Sequence, residues 1–163
     1  MCCLAKELRK MKRRIAVIRV RGRVGVREKV EDTLEKLGLT RVNHCIVIDD
    51  SPQKMGMVEK CSSYVTWGEV DAPTVALMVK KRGRIGGRRI GGEELKKYGF
   101  ESFENFAEKF CNFECELDAI EGIKKVFRLH PPRGGHRHTK KPYPEGALGY
   151  RGERINELLR RMV

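Results

Sequence analysis

The first part of the chain alternates between the hydrophobic spacing of a strand and that of a helix. From Ile15 the stretch IAVIRVRG is rich in β-branched residues, which strands favour. Arg19, Arg21 and Arg23 recur there at the strand period of two. This spacing predicts a strand that turns one face to the core and displays arginines on the other.

Two helices are predicted after this strand. Gly22 and Gly25 make a turn, and Gly38 ends a first helix that carries Val26, Val30, Leu34 and Leu37 at helical spacing. A strand, HCIVIDD, follows at residues 44–50. Ser51 and Pro52 suit the start of a second helix. The apolar side of that helix includes Met55, Val58, Cys61 and Val65.

A third strand is predicted for TVALMVKK, residues 74–81, because its continuous apolar run after Pro73 indicates burial on both faces or against a helix. Residues 15–81 would then form one compact β-α-β-α-β core domain of an α+β fold. A basic arm, residues 1–14, precedes it, and Met11 is an alternative start.

The second half of the chain predicts a mostly helical extension with basic loops, residues 82–163. Residues 82–91, RGRIGGRRIG, are too dense in glycine and arginine for a regular element, so we expect a flexible basic hinge. Residues 93–129 are amphipathic and predict one or two helices. Their apolar anchors are Phe100, Phe103, Phe106, Phe110 and Phe113. A last helix has Ile155, Leu158, Leu159 and Met162 at helical spacing.

The charge of the chain indicates which class of partner it binds, and not which fold it has. The chain has 35 Lys and Arg against 22 Asp and Glu, a net charge of +13, which favours a polyanionic partner. Residues 93–121 are locally acidic, so the basic charge is concentrated elsewhere. No apolar run is long enough to span a bilayer, and we expect a cytoplasmic protein without a membrane partner.

One stretch, LHPPRGGHRHTKKPYP at residues 129–144, has no acidic residue and almost nothing that could be buried. Glycines let a backbone approach a phosphate, arginines donate forked hydrogen bonds to it, and prolines reduce the entropy lost on ordering. Such a loop suits folded RNA better than a DNA groove, since no helix is strongly basic along one face. We expect it to be mobile in the free protein and ordered on RNA.

Other motifs give weaker evidence for catalysis or for metal or phosphate binding. His136 and His138 could act as bases of an RNA-processing enzyme, or with His130 bind a metal, but no carboxylate lies in the loop and its basic residues repel cations. The turn GRVG, residues 22–25, is either a phosphate clamp or a tight turn. Asp49 and Asp50 could bind magnesium, or favour the next helix through its dipole. Six cysteines without a Cys-x-x-Cys pair indicate reduced thiols rather than a zinc site.

Four segments resemble one family. GLTRVNHCIVIDDSP (38–52), GMVEKCSSYVTWGEV (56–70), FRLHPPRGG (127–135) and GYRGERINELLRRM (149–162) are similar to the large-subunit ribosomal protein L30 family, called L7 in eukaryotes. The last two segments resemble its longer archaeal and eukaryotic form. The resemblance covers residues 15–162.

The resemblance implies a ferredoxin-like layer of two helices on a three-stranded sheet, with the extension folded around it. It also implies a structural constituent of the large ribosomal subunit, with no enzymatic activity, cofactor, metal or small-molecule substrate. Its partners would be large-subunit ribosomal RNA, near the 5S RNA region, and neighbouring ribosomal proteins. A free RNA-binding or RNA-annealing module is the alternative.

The candidate RNA-binding residues combine the resemblance with the basic pattern. They are Arg19, Arg21, Arg23, Arg41, Asn43, Lys80, Lys81, Arg82, Arg84, Arg88, Arg89, His130, Arg133, Gly134, Gly135, His136, Arg137, His138, Lys140, Lys141 and Arg151.

Overall fold

The computed structural model describes residues 13–163, in which five strands form one sheet and six α-helices pack on it. In chain order the first elements are β1 (Arg14–Arg19), α1 (Glu28–Lys36), β2 (His44–Asp49), α2 (Pro52–Lys60), β3 (Val65–Glu69) and α3 (Ala72–Arg82). The remaining elements are β4 (Arg84–Ile85), β5 (Arg88–Arg89), α4 (Gly92–Lys97), α5 (Phe103–Cys111), β6 (Val126–Arg128), β7 (Gly149–Tyr150) and α6 (Ile155–Met162).

The sheet has the order β6-β2-β1-β3-β7. Its three central strands are antiparallel, with β1 between β2 and β3. The β-α-β-α-β core and the α+β class are therefore confirmed. Most of the predicted arm, residues 1–12, lies outside the described residues.

Both faces of the sheet are covered. Because side chains alternate along each strand, one strand contributes residues to the apolar clusters on both faces. Ile15 and Val17 of β1 join a cluster with Leu34 of α1 and Val58 of α2. Ala16 and Ile18, at the alternate positions, belong to the cluster formed with the extension. All six residues of β1 are buried, including the arginines at its two ends, which explains why the four residues between them, 15–18, are apolar without interruption.

The predicted position of the third strand is wrong. The strand is VTWGE, residues 65–69, and TVALMVKK lies in helix α3. Asp71 occupies the N-cap position of α3, and Pro73 lies in the first turn, where proline is tolerated. A short apolar run fits a buried helix as well as a buried strand, so its period does not distinguish them. Val65, predicted on the second helix, belongs to β3.

The extension completes the sheet instead of only surrounding it. Strand β6 pairs antiparallel with β2, and β7 pairs parallel with β3, so the core acquires a new strand at each edge. The predicted flexible hinge contains a hairpin of β4 and β5. The predicted helical region 93–129 consists of α4, α5, a short 3₁₀ turn and β6.

The last helix is confirmed, with Ile155, Leu158, Leu159 and Met162 all buried. The five phenylalanines predicted as apolar anchors differ in burial. Phe100, Phe106 and Phe110 are buried, whereas Phe103 and Phe113 are half-buried.

Candidate nucleic-acid interface

Four loops lie around one end of the sheet. Arg19, at the end of β1, pairs with Val65, at the start of β3, and His44, at the start of β2, pairs with Arg128, at the end of β6. The segments that leave or enter these strands therefore share one side of the molecule, here called the basic end. They are residues 20–27, 40–43, 61–64 and 129–148.

The loop 129–135 is fixed to the last turn of α6. The backbone amide of His130 donates to the Met162 carbonyl (2.9 Å), and that of Arg133 donates to the Arg161 carbonyl (3.1 Å). Nε of Arg161 donates to the Arg133 carbonyl (2.9 Å), and its Nη2 donates to the Gly135 carbonyl (3.2 Å). The main chain is held from behind, which leaves the Arg133 side chain exposed.

The following loop is anchored by two apolar residues. Ala147 and Leu148 are buried in a small cluster with Val20, which follows β1. The amides of Lys141 and Ala147 both donate to the His138 carbonyl, at 3.3 and 3.1 Å. The exposed side chains that this arrangement presents are those of Arg137, His138, Lys140 and Lys141.

Two helices end at the basic end. The Asn156 side chain joins their starts, because its Oδ1 accepts from the Asp71 amide (3.1 Å) and its Nδ2 donates to the Glu69 carbonyl (3.0 Å). At their ends, Nη2 of Arg82 donates to the Val163 carbonyl (3.2 Å). Helices α3 and α6 therefore run side by side, and their last turns bring five basic residues together: Lys80, Lys81, Arg82, Arg160 and Arg161.

The β4–β5 hairpin adds further arginines next to Arg82. Burial, and then the nearby Arg89 and Arg84, lowers the pKa of the Arg82 guanidinium from its usual value. The group still stays protonated at neutral pH, as arginines do. Three like charges thus lie close together, an arrangement that an anion would stabilise.

The loop before β2 connects to the same surface. Asn43 has a φ of +63°, and its amide donates to the Arg19 carbonyl (2.8 Å), while its carbonyl accepts from the Leu129 amide (3.1 Å). This places Asn43 beside the residue that precedes His130. Arg41, two residues before it, is exposed.

The opposite end of the sheet differs in charge, because acidic residues there neutralise the basic ones. Arg14 Nη2 lies 2.8 Å from Glu116 Oε1, and Arg13 Nη1 lies 3.6 Å from Glu69 Oε1. At the basic end, among the predicted residues with exposed side chains, ion pairs within residues 13–163 involve only Arg23 and Lys141. The uncompensated positive charge is therefore concentrated at one end.

Comparison with known proteins shows the family. A family model described as Ribosomal protein L30p/L7e matches residues 15–65. Large ribosomal subunit protein uL30 of Methanopyrus kandleri is 52% identical over 149 residues, covering 88% of this chain and 100% of that protein. The uL30 proteins of Methanosphaera stadtmanae and Archaeoglobus fulgidus are 45% and 44% identical, covering 91% and 90% of this chain and 99% and 98% of theirs. The chain belongs to the uL30 family.

As a uL30 protein, the chain is a structural constituent of the large subunit of the cytoplasmic ribosome and is not an enzyme. No described helix is long and apolar enough to cross a membrane. Within residues 13–163, no group of three His, Cys, Asp or Glu side chains could hold a metal ion. The cysteines in this range, Cys45, Cys61, Cys111 and Cys115, are free thiols.

The structure also describes the other motifs for which catalysis, metal binding or phosphate binding was considered. Asp49 forms an ion pair with Lys54, close to the start of α2. Burial would raise the pKa of Asp49, but hydrogen bonds, above all from Lys54, outweigh it and lower that pKa. Burial lowers the pKa of His136, and Arg151 and Arg161 lower it further, so the neutral form of its ring is favoured. The uL30 turn 22–25 is exposed, and Gly25 has a φ of +72°.

Several arginines predicted to bind RNA differ in position or exposure from what the sequence suggested. Arg19 is fully buried and faces the α1 side of the sheet, so the prediction that it is displayed is wrong. The Arg151 guanidinium is half-buried, with Nη2 donating to the Ala147 carbonyl (3.3 Å) and the group stacked 4.8 Å above the Tyr143 ring. Arg21 and Arg23 lie beyond the end of β1 instead of on its outer face.

The sequence-based set omits three arginines at the basic end of this uL30 chain. Arg128 and Arg160 are exposed there, and Arg161 holds the loop in place. Arg160 and Arg161 lie between Leu159 and Met162 of the apolar stripe, so the pair could have been assigned to the final turn of the last helix. The position of Arg128 depends on the pairing of β6 with β2.

Proposed function

We propose that this uL30 chain binds large-subunit ribosomal RNA through the basic end, close to the 5S RNA region. The observation that carries the proposal is the convergence of basic segments that are far apart in sequence. The segments that adjoin one another are the turn 20–25, the loop 40–43, the last turns of α3 and α6, and the loop 129–148. The hydrogen bonds described above connect them, and the apolar cluster of Val20 with Ala147 and Leu148 connects the turn to the loop 129–148.

The arrangement suits a phosphate backbone of irregular shape. Gly134 and Gly135 have φ values of +82° and +71°, and a Cβ on Gly134 would lie 3.2 Å from Arg161 Nη2. Glycine therefore keeps the main chain close to α6 and leaves its outer side open to a partner. Arg133 and Arg137 flank this bend, and each has the planar guanidinium that forms paired hydrogen bonds with phosphate.

The binding test uses Arg133→Ala and Arg137→Ala with a large-subunit RNA fragment that includes the 5S-proximal region, titrated over a range of salt. Each variant should bind more weakly. The slope of log K against log salt should fall by roughly 0.7–0.9 for each lost phosphate contact.

Arg13→Ala is the matched control, because it removes the same charge from an exposed side chain at the opposite end of the sheet. Its slope should stay close to that of the unmodified chain. Unchanged slopes for both Arg133→Ala and Arg137→Ala would show that this loop does not contact phosphate.

The 5S neighbourhood rests on the family resemblance and needs a positional test. A photo-crosslinker at Arg137 in assembled large subunits should attach to ribosomal RNA adjacent to the 5S RNA, or to the 5S RNA itself. Crosslinks only to distant rRNA would contradict that part of the proposal. Whether the loop 130–144 gains order on RNA stays a prediction.

A further inference from the structure

A groove lies on the outer side of the extension, between α3, α4 and α5. It encloses about 820 Å³. Its floor is apolar, with side chains from all three helices: Ala72, Pro73, Ala76, Leu77, Leu95 and Phe103. The groove and the basic end share only the last turn of α3, and of the predicted RNA-binding residues only Lys80 lines this groove.

The rim of the groove is acidic. Four glutamates line it, together with two lysines, Lys80 and Lys96; the glutamates are Glu93, Glu101, Glu104 and Glu108. Within the described part of the chain none of the four forms an ion pair, although the protein as a whole is strongly basic. An apolar floor with an uncompensated negative rim suits a basic, amphipathic segment.

The N-terminal segment enters the fold next to this groove. The Arg14 carbonyl accepts a hydrogen bond from the Val70 amide (3.0 Å), and Ala72 on the groove floor lies only two residues further along the chain. Twelve residues precede Arg13, and as a helix they would measure about 18 Å. The floor from Ala72 to Lys80 follows eight residues of α3, about 12 Å, so the segment is long enough to cover it.

The sequence of residues 1–12, MCCLAKELRKMK, has the required pattern. Leu4, Leu8 and Met11 are spaced by four and three residues, which places them on one side of a helix. Four basic residues accompany a single acidic one, Glu7; the basic residues are Lys6, Arg9, Lys10 and Lys12. Long lysine and arginine side chains can lie along an apolar surface and still reach charges at its rim.

We propose that residues 1–12 dock in this groove of the same chain, with Leu4, Leu8 and Met11 on its floor and their basic neighbours beside its glutamates. The groove is then an intramolecular binding site for the N-terminal arm. This inference does not depend on RNA binding, because it concerns the extension's outer surface and not the basic end.

The test measures backbone ¹⁵N order parameters of residues 4–11 in the full chain at low salt. Docked amides should have order parameters of about 0.8, and undocked amides should fall below about 0.6. The double variant Glu104→Lys/Glu108→Lys reverses two charges on the groove rim, so it should release the arm and lower these values. High salt should act in the same direction because it screens the charge pairs.

Glu121→Lys is the matched control, since it reverses one exposed charge of the same acidic region outside the groove. The arm should stay ordered in it. Leu8→Gln is a second variant that leaves the folded groove untouched, and it should also release the arm. Amide shifts across residues 92–108 should change together with the arm in both releasing variants.

Low order parameters for residues 4–11 in the unmodified chain would overturn the proposal, as would an arm that stays ordered in both the double variant and Leu8→Gln. Order that depends on protein concentration would also overturn it, because the groove would then hold the arm of a second copy. RNA binding should be the same in Leu8→Gln as in the unmodified chain.

Discussion

Arg19 shows how far a single residue's environment can differ from what its spacing suggests. Its guanidinium donates to the carbonyls of Arg21 (2.9 Å), Leu39 (2.7 Å) and Gly22 (3.1 Å), and to Glu31 Oε2 (3.1 Å). One buried cation therefore connects the turn after β1 with α1 and with the residues that follow α1. It supports the basic end from inside instead of facing a partner.

Arg19→Ala should lower the free energy of unfolding by about 3–5 kcal/mol, because it leaves buried carbonyls without donors and removes a partner of Glu31. Urea unfolding followed by circular dichroism measures this loss. Arg23→Ala is the control: Arg23 also pairs with Glu31, but its side chain is 59% exposed, and the loss should stay below about 1 kcal/mol. Equal losses would mean that burial does not distinguish the two arginines.

His44 gives the stability a dependence on pH. Burial lowers the pKa of its ring from the usual value, and the nearby Arg128, Arg41 and Arg19 lower it further, which outweighs a hydrogen bond with the Gly38 backbone that raises it. The folded state therefore favours the neutral ring. This contribution to stability is fully present above the unfolded-state pKa of about 6.5 and is lost as the pH falls through the folded-state pKa.

We expect the free energy of unfolding to decrease between pH 7 and pH 5, and to decrease less in His44→Gln. His136 has a pKa shifted in the same direction, so part of the decrease should remain in that variant. Urea titrations at several pH values give the slopes. A His44→Gln slope as steep as that of the unmodified protein would show that His44 does not titrate with folding.

At the scale of elements, β3 is the strand that the apolar pattern of the sequence placed wrongly. Gly68 lies within it, where a 3₁₀ turn of the extension, Gly152–Arg154, packs against the strand. A Cβ on Gly68 would lie 2.1 Å from the Gly152 carbonyl oxygen. The glycine is therefore required by close approach of two backbones, which is possible only if residues 65–69 are the third strand.

Gly68→Ala should destabilise the protein by at least about 2 kcal/mol, because the added methyl group overlaps with backbone that has little freedom to move. Gly56→Ala is the matched control: Gly56 lies inside α2 with nothing within 4 Å of the added atom. It should be neutral or stabilise by about 0.5–1 kcal/mol, since alanine favours a helix. Thermal unfolding of both variants compares them directly, and a neutral Gly68→Ala would contradict the close packing.

At the scale of the whole molecule, the extension shares a core with the strands instead of forming a separate unit. Ala16, Ile18 and Cys45 of the central strands belong to the same cluster as Phe127, Ile155 and Leu159 of the extension. Without the extension this face of the sheet would be exposed to water. Cooperative unfolding of the complete chain follows from that shared core.

Leu159→Ala tests this coupling, because Leu159 is fully buried in α6 and the loss should be about 2–5 kcal/mol. Trp67 is the single tryptophan and lies in β3, so its fluorescence reports on the central sheet. The fluorescence midpoint in urea should shift as much as the circular dichroism midpoint. A shift in only one of the two signals would indicate that the extension unfolds separately.

The sequence by itself determined the elements that local chemistry specifies. β-branched alternation located β1, helical spacing with Gly38 located α1, and the apolar stripe from Ile155 to Met162 located α6. These patterns need only nearby residues, because each element buries one face or stripe of its own. The total charge and the motif resemblance likewise indicated a ribosomal protein before any contact was known.

Only the tertiary structure decided what depends on residues far apart in the chain. Short strands such as β6 and β7 exist because β2 and β3 offer unpaired edges, and three or two residues carry no period of their own. The run 74–81 became a helix because the strand position beside β1 was taken by residues 65–69. Arg19 is buried, and the basic segments converge, for the same reason: long-range packing determines which side chains meet and which face solvent.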